Sequence, residues 1–152
     1  MSGTSKESNM GLEDNKAVAR RIYEEVLNGR NIDLADELVA EDSVENDPFP
    51  GVGQGRKGFK QFWKMFEASF PDYRISIEDI IAEGDKVVLR IRVKADYTGE
   101  PFIGTVPTGR EIEFESIDIL RIENGVVTEH WGETDAIAMF DQIGAVELAI
   151  EV

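Results

Sequence analysis

The sequence predicts one α+β domain in which helices pack on one face of an antiparallel sheet. Apolar residues follow helical spacing in the first part of the 152-residue chain, and from Tyr73 onward they alternate with polar residues. The pair Asn124-Gly125 is a strong hairpin turn between the last two alternating segments. Helices followed by a long antiparallel meander are typical of the α+β class, and the length suits a single domain.

Two helices are expected at the start of the domain. The first carries two apolar stripes with four-residue spacing, formed by Val18, Ile22, Val26, Ala19, Tyr23 and Leu27. Asn28 and Gly29 end it, since both tolerate the left-handed conformation of a helix end. Asp33 is a candidate N-cap for a short second helix. The apolar side of that second helix is formed by Leu34, Leu38 and Val39.

A third helix is the clearest of the predicted elements. Its broad aromatic face has i, i+3, i+4, i+7, i+11 spacing and consists of Phe59, Phe62, Trp63, Phe66 and Phe70. Pro71 ends this helix. The preceding segment, 47–55, is rich in Pro and Gly and predicts a loop. An aromatic stripe of this kind usually packs in the core, and in a hollow fold part of it can wall a ligand cavity.

The second half of the chain predicts strands with opposite faces of different character. One face of the long central strand is apolar and carries Val87, Leu89, Ile91, Val93, Ala95 and Tyr97. Its other face is cationic, with Arg90, Arg92 and Lys94, and the next strand has an acidic face with Glu111, Glu113 and Glu115. These stripes would suit neighbouring strands on a solvated face. A last strand covers 126–133, and Asp135 caps a final helix.

Composition excludes several classes of function and leaves others open. The chain has 31 acidic and 16 basic residues, a net charge of −15, which disfavours nucleic acid and anionic membranes as partners. No apolar run reaches the ~20 residues of a membrane span, and no secretion signal is evident. The absence of cysteine fits a cytoplasmic protein, and the acidity is consistent with a salt-rich cytoplasm. We expect the domain to cover 13–145, with a loosely ordered or disordered tail at 1–12 and a C-terminal tail at 146–152.

Two polar residues fall on the apolar face of the fourth alternating segment. Ser116 and Asp118 share the parity of Ile112, Phe114 and Leu120, so they should point toward the interior. A buried carboxylate is costly unless it is paired or hydrated. Either Asp118 lies in an internal pocket, or the strand emerges at the sheet rim and Asp118 meets solvent.

His130, the single histidine, lies on the following strand, and its position relative to Asp118 depends on the hairpin register. A type I turn with a Gly125 bulge would pair Ile122 with Val126 and place Asp118 opposite His130. A two-residue type I′ turn would place Trp131 there instead. We favour the bulged register.

An Asp118–His130 pair in a closed pocket could perform acid–base catalysis, because the carboxylate orients the imidazole and raises its pKa. A purely structural hydrogen bond is the alternative. With one His, no Cys and no metal-ligand spacing, we expect no metal site. We also find no P-loop, dinucleotide fingerprint or nucleophile elbow.

In sequence, the chain resembles the SnoaL-like polyketide cyclase and ester cyclase family of the NTF2-like superfamily, over residues 15–144. The segments that carry the resemblance are 23–30 (YEEVLNGR), 34–47 (LADELVAEDSVEND), 70–73 (FPDY), 80–85 (IIAEGD), 104–110 (GTVPTGR) and 117–131 (IDILRIENGVVTEHW). The resemblance implies an NTF2-like cone, in which a curved antiparallel sheet wraps around N-terminal helices and encloses a pocket. It also implies a homodimer and cofactor-free chemistry on a small hydrophobic ketone or ester.

The family's functional residues transfer to this chain only in part. The resemblance places the substrate-binding Asn at Asn46 and the family's His at Asp118. The acid–base Asp of the family falls on Gly132, so we do not assign aldol cyclisation. Asp118 and His130, with their roles reversed, are our candidate catalytic residues. Glu133 could take the place of the missing acid if the register slips, or the pocket only binds a ligand. Candidate substrate-binding residues are Asn46, Tyr23, Trp63, Phe66, Ser116 and Trp131.

Two functions compete at this stage. The first is an isomerase, cyclase or hydrolase acting on a small apolar carbonyl compound without a cofactor. The second is a non-catalytic ligand-binding or dimeric assembly domain, because a fold does not determine a function. A cavity of a few hundred Å³ with Asp118 and His130 converging in it would favour catalysis or ligand binding. A collapsed, aromatic-filled cone would favour a structural role.

Overall fold

The computed structural model describes residues 4–149, and the side chains of residues 11–149. The helical elements are α1 (Thr4–Arg21) with a π-helical continuation (Ile22–Asn28), a 3-10 turn (Ile32–Leu34) leading into α2 (Ala35–Leu38), α3 (Gly55–Ser69) and α4 (Ala136–Ile143). The strands are β1 (Val39–Glu45), β2 (Arg74–Glu83), β3 (Lys86–Asp96), β4 (Glu111–Glu123) and β5 (Val126–Thr134). The α+β class and the order of helices and strands from α3 onward agree with the sequence-based prediction.

The strands form one five-stranded open sheet in the order β1-β5-β4-β3-β2. The meander from β2 to β5 is antiparallel, as expected. β1 was not predicted, and it pairs in parallel with β5 at the sheet edge, which makes the sheet mixed. Val39, predicted on the apolar side of the second helix, is instead the first residue of β1. Since β1 pairs along one edge only and contains few apolar residues, its alternation is weak.

The interior forms where helices cover one face of the sheet. The first helix contributes Ala19, Ile22, Tyr23, Val26 and Leu27 to this core, all of which are buried. The inward residues of β3 and β4 are buried as predicted, and they alternate with half-buried or exposed residues. Burial of apolar area of this kind is the main stabilising contribution to such a domain.

The opposite face of the sheet carries the predicted charge stripes. Arg92 lies opposite Glu115, and Lys94 lies opposite Glu113, in the β3–β4 register. Arg92 Nη2 lies 2.8 Å from Glu115 Oε1, and Arg90 Nη1 lies 3.0 Å from the same oxygen. The hydrogen bonds of Glu115 with Arg92 and Arg90 lower the pKa of its carboxyl. The predicted solvated face is therefore correct for this part of the sheet.

The helix ends differ from the predictions in two details. The first helix ends at Asn28, but Gly29 keeps a right-handed φ of −75°, and Arg30 is the left-handed residue with a φ of 57°. Gly29 is required for another reason, because an added Cβ would overlap the Glu25 carbonyl oxygen. Asp33 is not an N-cap, since it lies inside the 3-10 turn that follows Asn31.

The structure near both ends of the described chain can be compared with the predicted domain limits. The tail predicted for residues 1–12 is helical from Thr4 onward, and residues 1–3 lie outside the described part of the chain. At the other end, the Asp135 side chain accepts a hydrogen bond from the Ala138 amide, so this N-cap is confirmed. Residues 146–149 are irregular, and 150–152 are not described. None of the described helices is long and apolar enough to cross a bilayer.

Candidate functional site

The helices and the inner face of the sheet enclose a cavity of about 390 Å³. This size lies within the range of small-molecule sites. Half-buried aromatic rings of α3 line it, including Phe59, Phe62 and Trp63, whereas Phe66 lines it from a fully buried position. The aromatic stripe thus serves both as core and as cavity wall. The cone is hollow rather than collapsed.

Asp118 lies in this cavity, and three side chains contact its carboxylate. The side chain is inward-facing, and the residue is 8% exposed, so the sheet-rim alternative does not apply. The Tyr23 hydroxyl donates to Asp118 Oδ2 at 2.6 Å, and His130 Nε2 lies 3.1 Å from Oδ1. The Ser116 hydroxyl, also buried, donates weakly to Oδ1 at 3.4 Å. The structure therefore brings both predicted catalytic residues together with Tyr23 and Ser116.

The hairpin register differs from both alternatives considered from the sequence. Asn124 and Gly125 have φ values of 51° and 79° and form a two-residue turn, with Glu123 paired to Val126. The favoured pairing of Ile122 with Val126 is therefore wrong. A bulge between the Arg121–Glu129 and Ile122–Val127 pairs then shifts the register by one residue, so that Asp118 lies opposite Gly132. Neither His130 nor Trp131 occupies the position opposite Asp118.

The Asp118–His130 contact is instead diagonal and depends on Gly132. Residues that lie diagonally across an antiparallel pair are within reach of long side chains. An added Cβ at Gly132 would lie 2.9 Å from Asp118 Oδ1 and 3.0 Å from His130 Cε1. Because this space is empty, the imidazole can approach the carboxylate across the glycine. The missing side chain at Gly132 is thus part of the site.

A second carboxylate, Glu45, completes the site and was missed in the sequence analysis. It lies at the end of β1, opposite His130 in the parallel register, and its Oε2 is 2.6 Å from His130 Nδ1. Asp47 follows, and its Oδ2 accepts a hydrogen bond from the Gly132 amide at 2.9 Å. The available signal was that Ser43 and Glu45 share the parity of Val39, but it required recognising β1.

The two carboxylates keep His130 protonated at neutral pH. Burial disfavours the charged ring, but the hydrogen bonds and negative charges of Asp118 and Glu45 outweigh this effect and raise the pKa of His130 from 6.5 to about 10. Both ring nitrogens then donate, Nε2 to Asp118 and Nδ1 to Glu45. Burial and the adjacent Asp118 raise the pKa of Tyr23 well above 10.0, so Tyr23 also remains a donor.

We expect this pairing to make stability depend on pH in a defined window. A histidine whose pKa is higher in the folded chain stabilises the fold fully below its unfolded pKa, and the contribution disappears as pH rises through the folded pKa. The stabilisation from His130 should therefore be lost between pH 6.5 and about 10. Melting temperatures of wild type and His130→Gln should differ most near pH 6 and converge toward pH 10. Parallel curves would contradict the pairing.

The remaining predicted substrate-binding residues divide into two groups. Tyr23, Trp63, Phe66 and Ser116 line the cavity. The Asn46 amide is exposed and donates at 3.0 Å both to Glu129 Oε2 and to the His130 carbonyl oxygen.

Trp131 likewise faces away from the cavity. It lies on the outer face of the sheet, with Lys86 Nζ 5.1 Å from its ring centroid. The structure thus brings neither Asn46 nor Trp131 into the cavity. For Trp131 the reason is strand alternation, since its neighbour His130 points inward.

The electrostatic character of the cavity is acidic. Among the described residues that line it, Glu45, Asp47 and Asp118 are carboxylates, His130 is the single cationic group, and no Lys or Arg is present. No group of three His, Cys, Asp or Glu side chains in the described part of the chain is arranged to hold a metal ion. A protonated His130 leaves the lining with an excess of negative charge.

Comparison with protein families gives one match that covers most of the chain. The model of the SnoaL-like polyketide cyclase family matches residues 17–143. No curated protein shows significant similarity to the chain.

Many solved structures share the fold. A candidate polyketide cyclase from Bacillus cereus is 25% identical with a TM-score of 0.77, covering 88% of this chain and 83% of its own. IdmH, a candidate polyketide cyclase from Streptomyces antibioticus, is 29% identical with a TM-score of 0.75, covering 86% of this chain and 98% of its own. AclR from Streptomyces galilaeus, a candidate hydroxylase, is 21% identical with a TM-score of 0.76, covering 92% of this chain and 87% of its own.

Proposed function

Because the chain belongs to the SnoaL-like polyketide cyclase family, we propose that its cavity binds a small, uncharged and mostly apolar carbonyl compound, on which Asp118 and His130 perform acid–base chemistry. The observation that carries this proposal is a buried carboxylate in an apolar cavity, hydrogen-bonded by Tyr23 and His130. A buried carboxylate is costly to the fold. Groups such as its partner His130, whose pKa is raised to about 10, cluster at functional sites.

The proposed step is removal of a proton from the carbon next to the substrate carbonyl. An Asp118 oxygen accepts the proton, and the electron pair of the broken C–H bond forms a carbon–carbon double bond. The π pair of the carbonyl moves onto its oxygen, which gives an enolate. Neutralising Asp118 frees the Tyr23 hydroxyl and His130 Nε2–H, which then donate to the enolate oxygen. A positioned general base contributes roughly 10²- to 10⁴-fold to a rate, and hydrogen-bond donors to the enolate oxygen add to it.

The charge states of the site support this division of roles. His130 carries its proton at neutral pH, so it is suited to donate rather than to accept. Asp118 is therefore the base, and His130 is the acid that returns a proton later in the reaction. This reverses the roles usual for a His–Asp pair. The first step is shared by cofactor-independent isomerases and cyclases, whose reactions differ in what the enolate does next.

The acidic lining predicts discrimination against anionic ligands. Since no described Lys or Arg lines the cavity, a ligand carboxylate would meet Glu45, Asp47 and Asp118 without a free cation. In a thermal-shift screen, uncharged aromatic ketones, lactones and esters should stabilise the protein, whereas the carboxylate matched to each ester should not. A ligand at about 100 times its Kd adds about 2.7 kcal/mol to the free energy of unfolding, which raises the melting temperature by roughly 5 °C or more.

The same screen tests the proposal itself. Trp63→Ala serves as the control, because it removes an aromatic ring from the cavity wall and enlarges the cavity. It should therefore reduce the thermal shift caused by aromatic ligands. Preferential stabilisation by carboxylates would contradict the proposal. Stabilisation by neutral ligands that are never converted would instead support the alternative, a ligand-binding domain without catalysis.

We also propose a homodimer that forms through the outer face of the sheet. One row of this face is apolar across four strands, because Ile81 pairs with Val88, Val88 with Ile119, and Ile119 with Trp131. Ile81 is 62% exposed and the nearby Ile117 is 48% exposed. Contiguous exposed apolar surface of this kind marks interaction sites.

Light scattering should therefore give about twice the chain mass of 17.0 kDa. Ile119→Arg should shift the protein to the monomer mass, since it introduces a charge into the apolar row. Asp141→Arg is the control variant, because it changes an exposed residue on α4 away from this row. A wild-type mass near 17.0 kDa would exclude the dimer.

A further inference from the structure

The His130 ring is held from both sides by carboxylates on different strands. Asp118 on β4 contacts Nε2 at 3.1 Å, and Glu45 on β1 contacts Nδ1 at 2.6 Å. The Glu45 contact is the shorter of the two, and β1, the strand that carries Glu45, pairs directly with β5, the strand that carries His130. A carboxylate on the far nitrogen of an imidazole determines both the ring orientation and the state of the near nitrogen.

We propose that Glu45 is the positioning residue of this site: by accepting from Nδ1 it fixes the ring of His130 and keeps Nε2–H directed at Asp118, so that His130 acts as the acid. This inference rests on the function proposed above and assigns a role to a residue outside the Asp118–His130 pair. Without Glu45, a neutral ring could leave Nε2 unprotonated, and His130 would then compete with Asp118 as the base.

The other charged and titratable groups around His130 do not replace Glu45. From the first helix, Tyr23 reaches the ring only through Asp118. Asp47 is engaged by the Gly132 amide. Glu129, the preceding residue on β5, is bound by Asn46 and by Arg121, 3.1 Å from its Nε. The second carboxylate in direct contact with the ring is therefore Glu45.

The chain is well suited to a direct test because it contains one histidine. Nitrogen-15 NMR of the untagged protein reports the protonation and tautomer of His130 without a substrate. Wild type should show both ring nitrogens protonated through pH 8. In Glu45→Gln, the titration midpoint of His130 should fall by at least about one pH unit, since one of two ion-pair partners is lost. Glu41→Gln, on the same strand and exposed, is the matched control and should leave the midpoint unchanged.

Two outcomes separate this inference from the proposed function. An unchanged midpoint in Glu45→Gln would overturn the positioning role, even if the variant were less stable. With a converted substrate in hand, the basic limb of the kcat/KM profile should move to lower pH in Glu45→Gln by the same shift as the midpoint. A lowered midpoint in Glu45→Gln, together with full turnover in Asp118→Asn, would support the role of Glu45 and overturn the proposed acid–base function.

Discussion

Replacement of Asp118 by Asn is expected to lower kcat for a converted substrate by roughly 10²- to 10⁴-fold, the contribution of a positioned general base. The amide has the shape of the carboxylate and can accept from the Tyr23 hydroxyl, but it cannot take up a proton. The fold should be retained, because the residue remains buried and hydrogen-bonded on β4. Turnover and circular dichroism of the same preparation provide the measurement.

A matched control tests whether the loss of a carboxylate charge outside the cavity also lowers turnover. Asp79→Asn makes the same chemical change on the outer face, where Asp79 contacts Arg90 at 2.7 Å. This variant should retain wild-type turnover, because a partly exposed ion pair contributes little. If Asp118→Asn is as active as Asp79→Asn, Asp118 is not the base.

The largest stability effect is expected for Gly58→Ala in α3. Gly58 is buried, and an added Cβ would overlap the Gly53 carbonyl oxygen in the loop that borders the cavity. Alanine is favoured over glycine by about 1 kcal/mol in a helix, whereas overpacking against backbone typically costs 1–3 kcal/mol and occasionally more. Because backbone must move here, we expect a net loss of about 2 kcal/mol in the free energy of unfolding.

The partner glycine provides the control for this prediction. An added Cβ at Gly53 meets nothing within 4 Å, so Gly53→Ala should be close to neutral. Urea unfolding of both variants gives the comparison. We further expect Gly58→Ala to weaken the thermal shift caused by neutral ligands, since Gly53 and Gly58 both line the cavity. Equal stability of the two variants would show that the loop adapts without cost.

In the site, the orientation of Asp118 could be predicted from the sequence, but its contact with His130 could not. The inward orientation of Asp118 follows from strand alternation, which depends only on neighbouring residues in β4. The contact with His130 depends on the position of a bulge in the β4–β5 hairpin. A bulge of one residue changes every pairing beyond it. For this reason the inward orientation of Asp118 was predicted, whereas the diagonal contact with His130 across Gly132 was not.

The edge strand β1 illustrates a second limit. Glu45 and His130 are 85 positions apart in the sequence, and their contact requires a parallel pairing at the sheet edge. The local sequence of β1 carries little alternation, because most of its residues are polar or exposed. Nothing local to residues 39–45 indicates which strand they will join.

Sequence periodicity was enough to predict the α+β class, the aromatic helix, the charged outer face of the central strands and the inward position of Ser116 and Asp118. These features depend on periodicity within one element, which a linear chain displays directly. Periodicity did not predict that Tyr23, Asp118, His130 and Glu45 form one hydrogen-bonded chain, or that Asn46 and Trp131 lie outside the cavity. Those contacts depend on register and packing between distant segments, where small differences in energy between alternative pairings select one arrangement.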